Sequence, residues 1–172
     1  MRLLVTGGCG VIGARVVAKL AARGIRPIVL DARPDFSLMR DSLDRFDFEQ
    51  GDVTTLESIE AVIARHRIDR VMHLAAFIDP EMAVLPFRSF EVNTRGTVNM
   101  LEAARRAGVG RVIAASSRAV YGETPRGVGE PGYRPLDEEH PKRPVGAYDV
   151  TKLAAESIGE LYRRVHGLEY AA

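Results

Sequence analysis

Met1-Arg-Leu-Leu-Val-Thr-Gly-Gly-Cys-Gly-Val-Ile-Gly13 opens the chain, and its reading decides the fold. Leu3, Leu4 and Val5 form a short apolar run of the kind that makes a buried strand, and the run stops at a glycine cluster. Val11, Ile12, Val16, Val17 and Leu20 then recur at helical spacing. In a strand–turn–helix unit of this kind each glycine has a separate task. The tight turn needs unrestricted backbone angles, a middle glycine lets the backbone approach a pyrophosphate, and the last lets helix pack on strand. The helix N-terminus then offers unpaired N–H groups to the anion. Two registers fit, Gly8-x-Gly10-x-x-Gly13 and Gly7-x-x-Gly10-x-x-Gly13, and both point to a dinucleotide.

Composition sets the outer limits. At 172 residues the chain makes one domain with a real core, and 46% hydrophobic with 27% charged residues is ordinary for a globular protein. A net charge of +1 argues against nucleic-acid or membrane binding driven by bulk charge. No apolar run has the length of a membrane span, and the first residues lead straight into a strand without a signal-peptide pattern. Cys9 is the only cysteine, so an internal disulfide is impossible and a cytoplasmic setting is expected. A helix N-terminus lowers thiol pKa values, but a small residue tolerated between glycines is the stronger reading of Cys9.

Strand and helix patterns alternate along the rest of the chain. Strands are predicted at 26–30, 46–50, 70–75 and 111–115, and helices at 56–66, about 86–107 and about 147–166. Gly108 ends the second of these helices. Ala154, Ile158, Leu161 and Val165 are predicted to form the buried face of the last. Pro125, Pro131, Pro135, Pro141 and Pro144 mark the intervening stretch as a loop. This alternation predicts an α/β fold, a Rossmann-type doubly wound parallel sheet with helices on both faces.

Several residues stand where chemistry would need them. Asp31 lies 18 residues beyond Gly13, at the end of the second strand, where a carboxylate accepts ribose hydroxyls and repels a 2′-phosphate. That favours NAD, and NADP is less favoured although Arg33 stands nearby. Asp52, after Gly51, is placed to bond an adenine amino group, and the small residues of Leu74-Ala75-Ala76 let backbone approach a cofactor. Tyr148 and Lys152, four apart, share a helix face, so the ammonium can stabilise a phenolate and make Tyr148 a general acid/base. Ser117 ends the fifth strand, at the carboxyl edge where open α/β sheets bind ligands. His73 reads as a strand residue supporting a turn, and four scattered histidines give no metal-binding pattern. Tyr121 either lines a substrate pocket or folds back on its loop, and Asp137-Glu138-Glu139 reads as a solvated loop face.

The ordered set Thr6-Gly7-Gly8-Cys9-Gly10-Val11-Ile12-Gly13, Asp31, Gly51-Asp52-Val53, His73-Leu74-Ala75-Ala76, Asn93, Ser116-Ser117-Arg118-Ala119-Val120-Tyr121-Gly122 and Tyr148-x-x-x-Lys152 resembles the extended short-chain dehydrogenase/reductases. More narrowly, it is similar to the NAD-dependent epimerase/dehydratase group that acts on nucleotide sugars. The resemblance covers essentially the whole chain. It implies the register Gly7, Gly10, Gly13, and Ser117, Tyr148 and Lys152 as catalytic residues. For the cofactor it implies Gly7, Gly10, Val11, Ile12, Gly13, Asp31, Asp52, Val53, Leu74, Ala75, Ala76, Asn93, Tyr148 and Lys152. A helix-interior structural role for Asn93 stays open beside that.

Departures from the family narrow the chemistry. Sugar dehydratases of the group carry an Asp-Glu pair where Arg118 and Ala119 stand, and the decarboxylases a glutamate at Ala119. Elimination and decarboxylation therefore lose support, and an epimerase or a simple sugar oxidoreductase keeps it. Arg118 acquires no role from spacing. Family members continue into a carboxyl-terminal substrate lobe, whereas this chain stops at about the start of a sixth strand. The expectation is a NAD-binding domain over 1–172, with weak or no turnover, and a homodimer by resemblance. The alternative is a non-catalytic dinucleotide-binding module, a redox sensor or partner-binding remnant.

Overall fold

The computed structural model describes residues 1–78, 86–122 and 135–172. Pro125 and Pro131 of the predicted loop lie outside the described residues. Six parallel strands form one sheet: β1 (Leu3–Thr6), β2 (Ile28–Asp31), β3 (Asp47–Gln50), β4 (Arg70–His73), β5 (Arg111–Ala114) and β6 (Tyr170–Ala171). Their order is β3-β2-β1-β4-β5-β6, so the chain starts in the middle, winds to one edge, and returns to build the other half. The reversal beside β1 opens a crevice at the carboxyl ends of β1 and β4, where α/β sheets bind ligands.

Helices cover both faces. On one, α2 (Leu56–His66), α4 (Gly96–Arg106) and α5 (Ala147–His166) pack against Leu4, Ile28, Leu30, Val71 and Val112 of the strands. On the other, α1 (Val11–Ala22) sets Ala14 and Val17 against Leu3, Val5 and Val29, with Met39 and Phe46 filling the flank. Alternation along β1 explains the split: Leu4 points to one core, Leu3 and Val5 to the other. Further along the second face Ile113 of β5 is exposed.

Two helical stripes differ from the sequence reading. In α1 Val17 is buried and Val16 and Leu20 pack on the core as expected, but Val11 and Ile12 are exposed, and Gly13 and Ala14 are buried in their place. The predicted buried face of α5 is also rotated. Leu161 and Val165 are exposed at 45% and 59%, and the buried residues are Thr151, Lys152, Ala155 and Gly159. Only Ile158 of the predicted face packs on the core, joined by Tyr162. The cause is close packing. A Cβ on Gly159 would fall 2.1 Å from the Tyr170 ring, so the contact face carries small residues and a buried lysine that hydropathy assigns to solvent.

The helix predicted for about 86–107 is built in three windings. α3 (Pro86–Ser89) runs into a π-wound turn, Phe90–Arg95, and then into α4. Wide turns of this type cluster at functional sites, and Asn93 sits inside this one. The Asp149 carboxylate accepts from the N–H groups of Gly146 (3.0 Å) and Val145 (3.3 Å), which fixes the first turn of α5 and with it Tyr148.

Candidate active site

The glycine loop is locked from within. Gly7 has φ +67°, and a Cβ there would lie 2.6 Å from the backbone nitrogen of Ala75. A Cβ on Gly13 would lie 2.2 Å from the Gly7 carbonyl oxygen, so α1 rests directly on the loop. Gly10 is different. It caps α1, its N–H donates to the Gly7 carbonyl at 3.2 Å, and a Cβ there would meet only that oxygen, at 3.4 Å. Nothing among the described residues demands a glycine at position 10. The space it leaves opens on the crevice beside the unpaired N–H groups of the first turn of α1, a cradle suited to a pyrophosphate.

That crevice is a cleft of about 630 Å³. Gly7, Gly10, Asp31, Asp52, Val53, Ala75 and Ala76 line it, seven of the residues expected to touch a cofactor. Asp31 stands at the end of β2. Its Oδ2 accepts from the Cys9 N–H (3.0 Å) and its Oδ1 from the Arg33 N–H (3.1 Å), so one carboxylate ties the glycine loop to the strand end. Each oxygen keeps a lone pair for a ribose hydroxyl. Asp52 Oδ1 is engaged by the Thr54 N–H at 2.9 Å. Burial, with Asp31 and Asp35 nearby, pushes the Cys9 thiol up to about 11, which makes it an inert wall residue.

The wall also carries residues the sequence reading did not single out: Phe77, Ile78, Arg88 and Val92. The Arg88 guanidinium sits 6.0 Å from the centre of the Phe77 ring. Leu74 turns away from the cleft into the core under α1. Asn93 is buried and fully engaged. Its Oδ1 accepts from the Phe77 N–H (2.7 Å), and its Nδ2 donates to the Phe77 carbonyl (2.9 Å) and to Thr151 Oγ1 (3.1 Å). The side chain thus pairs with Phe77 as a neighbouring strand would, which shapes the cleft wall with no amide hydrogen left over.

Tyr148 and Lys152 stand together on α5 beyond the cleft, against the end of β5, and Ser117 lies two residues past the Ala115 carbonyl that Lys152 bonds. Ser117 caps a 3-10 turn, Arg118–Tyr121, that packs against α5. Its Oγ accepts from the Ala119 N–H at 3.2 Å, which leaves the hydroxyl hydrogen to donate outward. Lys152 is buried. Its Nζ donates to the Ala115 carbonyl (2.9 Å) and lies 5.7 Å from the centre of the Tyr148 ring. Burial alone lowers its pKa from the usual lysine range. Tyr121 folds back on its loop, its ring edge-on to His140 at 5.9 Å. Asp137, Glu138 and Glu139 are all exposed, and so is Arg118, to which the geometry gives no role.

A clamp missed by sequence reading stands beside the trio. Glu156, one turn after Lys152, accepts from the Ser116 hydroxyl and from Lys142 Nζ (2.6 Å). It joins the end of β5 and the segment before α5 to the same helix. The only sequence signal was its i+4 spacing from Lys152.

Comparison with known proteins gives this geometry a family. The model of the NAD dependent epimerase/dehydratase family matches residues 3–172. The chain belongs to that family. It is 34% identical to a UDP-glucose 4-epimerase of Lacticaseibacillus casei, covering all of this chain and 50% of the relative. Among solved structures it is similar to the UDP-glucose 4-epimerase of Thermus thermophilus in complex with NAD. There the TM-score is 0.86 at 35% identity, over 99% of this chain and 53% of that one. A dTDP-glucose 4,6-dehydratase from Streptomyces venezuelae, with NAD and TYD bound, gives 0.87 at 28% identity, over 99% and 54%. The chain spans about half the length of the epimerase/dehydratases it matches.

Among the described residues no helix is long and apolar enough to cross a membrane, and no cluster of His, Cys, Asp or Glu is placed to hold a metal ion.

Proposed function

We propose that this chain carries the cofactor-binding and acid–base machinery of an NAD-dependent nucleotide-sugar epimerase or a related sugar oxidoreductase. The observation that carries this reading is the buried Lys152 ammonium, 5.7 Å from the centre of the Tyr148 ring and bonded to the Ala115 carbonyl, two residues before a serine whose hydroxyl hydrogen is left to donate. Gly7, Gly10, Asp31 and the N-terminus of α1 would hold NAD, with Lys152 reaching its second ribose. Bound there, the nicotinamide would supply a site that takes up and returns a hydride. Tyr148 removes the proton of a sugar hydroxyl, its phenolate favoured by the cation one helical turn away. Ser117 donates to the oxygen that becomes a carbonyl and orients it. When the carbonyl is reduced again, Tyr148 returns the proton. Arg118 and Ala119 supply no acid pair for eliminating water, and the relatives named UDP-glucose 4-epimerase support a nucleotide sugar as substrate class.

Titration with NAD and NADP, followed by incubation with UDP-glucose and UDP-galactose, tests the proposal. NAD is expected to bind more tightly than NADP. Turnover is expected to be slow, because Ser117 and Tyr148 are partly exposed to water, and to vanish in Tyr148→Phe. Asp31→Ala should weaken NAD at least tenfold, since a carboxylate hydrogen bond is worth roughly 1.5–3 kcal/mol, and should narrow the preference over NADP. Failure to bind either dinucleotide overturns the reading. NAD retained with no turnover favours the non-catalytic module.

The same reading includes a homodimer. Val150, Leu161 and Val165 are exposed along α5, and Phe87 and Phe90 are exposed on α3 and its π turn, elements that pack on α5. An apolar strip on a paired helix face is what a helix–helix interface needs. Light scattering is expected to give a dimer for the parent chain and a monomer for Leu161→Glu/Val165→Glu. A monomeric parent removes this part.

A further inference from the structure

His73 is buried at the end of β4, touches no part of the cleft, and has no role in the chemistry above. Both ring nitrogens are nevertheless bonded, Nδ1 to Thr6 Oγ1 at 2.7 Å and Nε2 to Thr97 Oγ1 at 3.2 Å. The neighbours decide which nitrogen carries the hydrogen. Thr97 commits its hydroxyl hydrogen to the Asn93 carbonyl (2.6 Å), so it can only accept from His73. Thr6 Oγ1 already accepts from the Ala75 N–H (3.2 Å), and His73 Nδ1 is the acceptor for its own hydrogen. One arrangement satisfies every group: neutral imidazole with the hydrogen on Nε2.

The chain of bonds does not stop there. Asn93 Nδ2 donates to Thr151 Oγ1, and Thr151 Oγ1 donates to the Tyr148 carbonyl at 2.7 Å. Two hydrogen-bonded runs therefore meet at Asn93. One leads from Ala75 in the cleft wall through Thr6, His73 and Thr97 to the Asn93 backbone carbonyl. The other leads from the Asn93 side-chain amide through Thr151 to the Tyr148 carbonyl, the two forming a relay joined by the covalent frame of Asn93. Thr6, His73, Thr97, Asn93 and Thr151 are all buried, so water cannot replace a lost link. Thr6 directly precedes Gly7, whose carbonyl receives the Gly10 N–H, so one end of the relay is the glycine loop itself.

We propose that His73 is a positioning residue: as a neutral Nε2–H imidazole it couples the glycine loop and cleft wall to the helix turn that carries Tyr148. No proton moves along the relay. Its work is orientation: each hydrogen bond fixes the direction of the next as far as the Asn93 carbonyl, the Asn93 side chain held by Phe77 carries the run on to Thr151, and the last bond holds the backbone of the general acid/base. Burial, with the Lys152 cation nearby, takes the His73 pKa down to about 3, which keeps the imidazole neutral at any working pH. The consequence for catalysis rests on Tyr148 being the acid/base of the proposed function; the coupling itself does not.

NMR of the 172-residue chain tests it. The His73 side chain is expected as the Nε2–H tautomer at pH 7, and the Nδ1–H tautomer or an imidazolium overturns the proposal. Thr6→Val cuts the relay at the far end from Tyr148. It is expected to displace the Tyr148 ring and Thr151 methyl signals, with Thr6→Ser restoring them. Displacements confined to β1 and β4 overturn the coupling. Should Thr6→Val not fold, Thr151→Val reads the relay from its other end and is expected to shift the His73 Nε2–H signal; an unmoved signal overturns it. An NAD titration of the same samples keeps the two readings apart. Coupling without NAD binding removes the cofactor reading alone, and NAD binding without coupling removes the relay alone.

Discussion

Gly13→Ala is expected to lower NAD affinity by two orders of magnitude or more and to destabilise the fold at the same time. The added Cβ would lie 2.2 Å from the Gly7 oxygen, 2.5 Å from the Gly8 Cα and 2.8 Å from the Gly8 carbonyl carbon. All three are backbone atoms, so no rotamer change relieves the clash. α1 must move off the loop, and the cradle at Gly10 moves with it. Overpacking a core costs about 1–3 kcal/mol, and this case belongs at the upper end because the obstacle is rigid. For a chain of this size that is a fall in Tm of roughly 6–12 °C. Gly10→Ala is the informative partner. Its Cβ meets only one oxygen, at 3.4 Å, so stability should change by less than about 1 kcal/mol, while NAD affinity still falls because the methyl enters the cleft. Thermal unfolding and NAD titration of both variants check the pair. Equal losses of stability would show that position 10 is set by the fold and not by a ligand.

The second large effect is on acid stability. The folded chain takes up a proton at His73 only near pH 3, whereas the unfolded chain does so near pH 6.5. Between those values the unfolded state binds more protons, so stability falls as pH falls. The loss starts near pH 6.5, reaches about 2 kcal/mol by pH 5, and approaches roughly 4–5 kcal/mol at pH 3. Against a total of about 5–15 kcal/mol, that share is enough to bring a small domain to the edge of unfolding. Carboxylates add to it only at lower pH. Asp47, Glu49 and Glu102 are held below their ordinary pKa values chiefly by Arg26, His66 and Arg105, so their contributions persist until about pH 4–5. The window from pH 6.5 to 5 therefore separates His73 from the carboxylates, and comparison with a His73 variant separates it from the other histidines. Urea unfolding is expected to show a steeper decline there for the parent than for His73→Asn, and parallel curves would refute the assignment.

Much of this architecture is legible in the sequence because it rests on local pattern. The strand–glycine–helix opening, the bounds of α2 and α5, and the glycine spacing follow from periodicity and turn chemistry. What stays hidden depends on partners distant in sequence. Asn93 reads as a cofactor residue or a helix-interior polar group, and it pairs with the backbone of Phe77, 16 residues away. The rotated face of α5 is invisible because Gly159 is defined by the Tyr170 ring, and because Lys152 is buried against expectation for its type. Thr6, Thr97 and Thr151 look like ordinary strand and helix threonines until His73 and Asn93 join them. Polar burial of this kind leaves no periodic trace in a sequence, since each residue is explained only by the one it bonds.

Cys9 gives the glycine loop a further property. A thiol whose pKa stands at about 11 is ionised at neutral pH to roughly one part in ten thousand, some hundreds of times less than a free cysteine. Oxidants and electrophiles attack the thiolate, so this sulfur is chemically silent for as long as the loop is closed around it. Its silence comes from burial and from the carboxylates of Asp31 and Asp35, the first of which also receives the Cys9 backbone N–H. Any excursion that parts the loop from β2 wets the sulfur and loosens it from those carboxylates in one movement. The chain thus carries a single-site alarm for loop opening, and alkylation at residue 9 becomes a clock that counts how often the cradle comes apart.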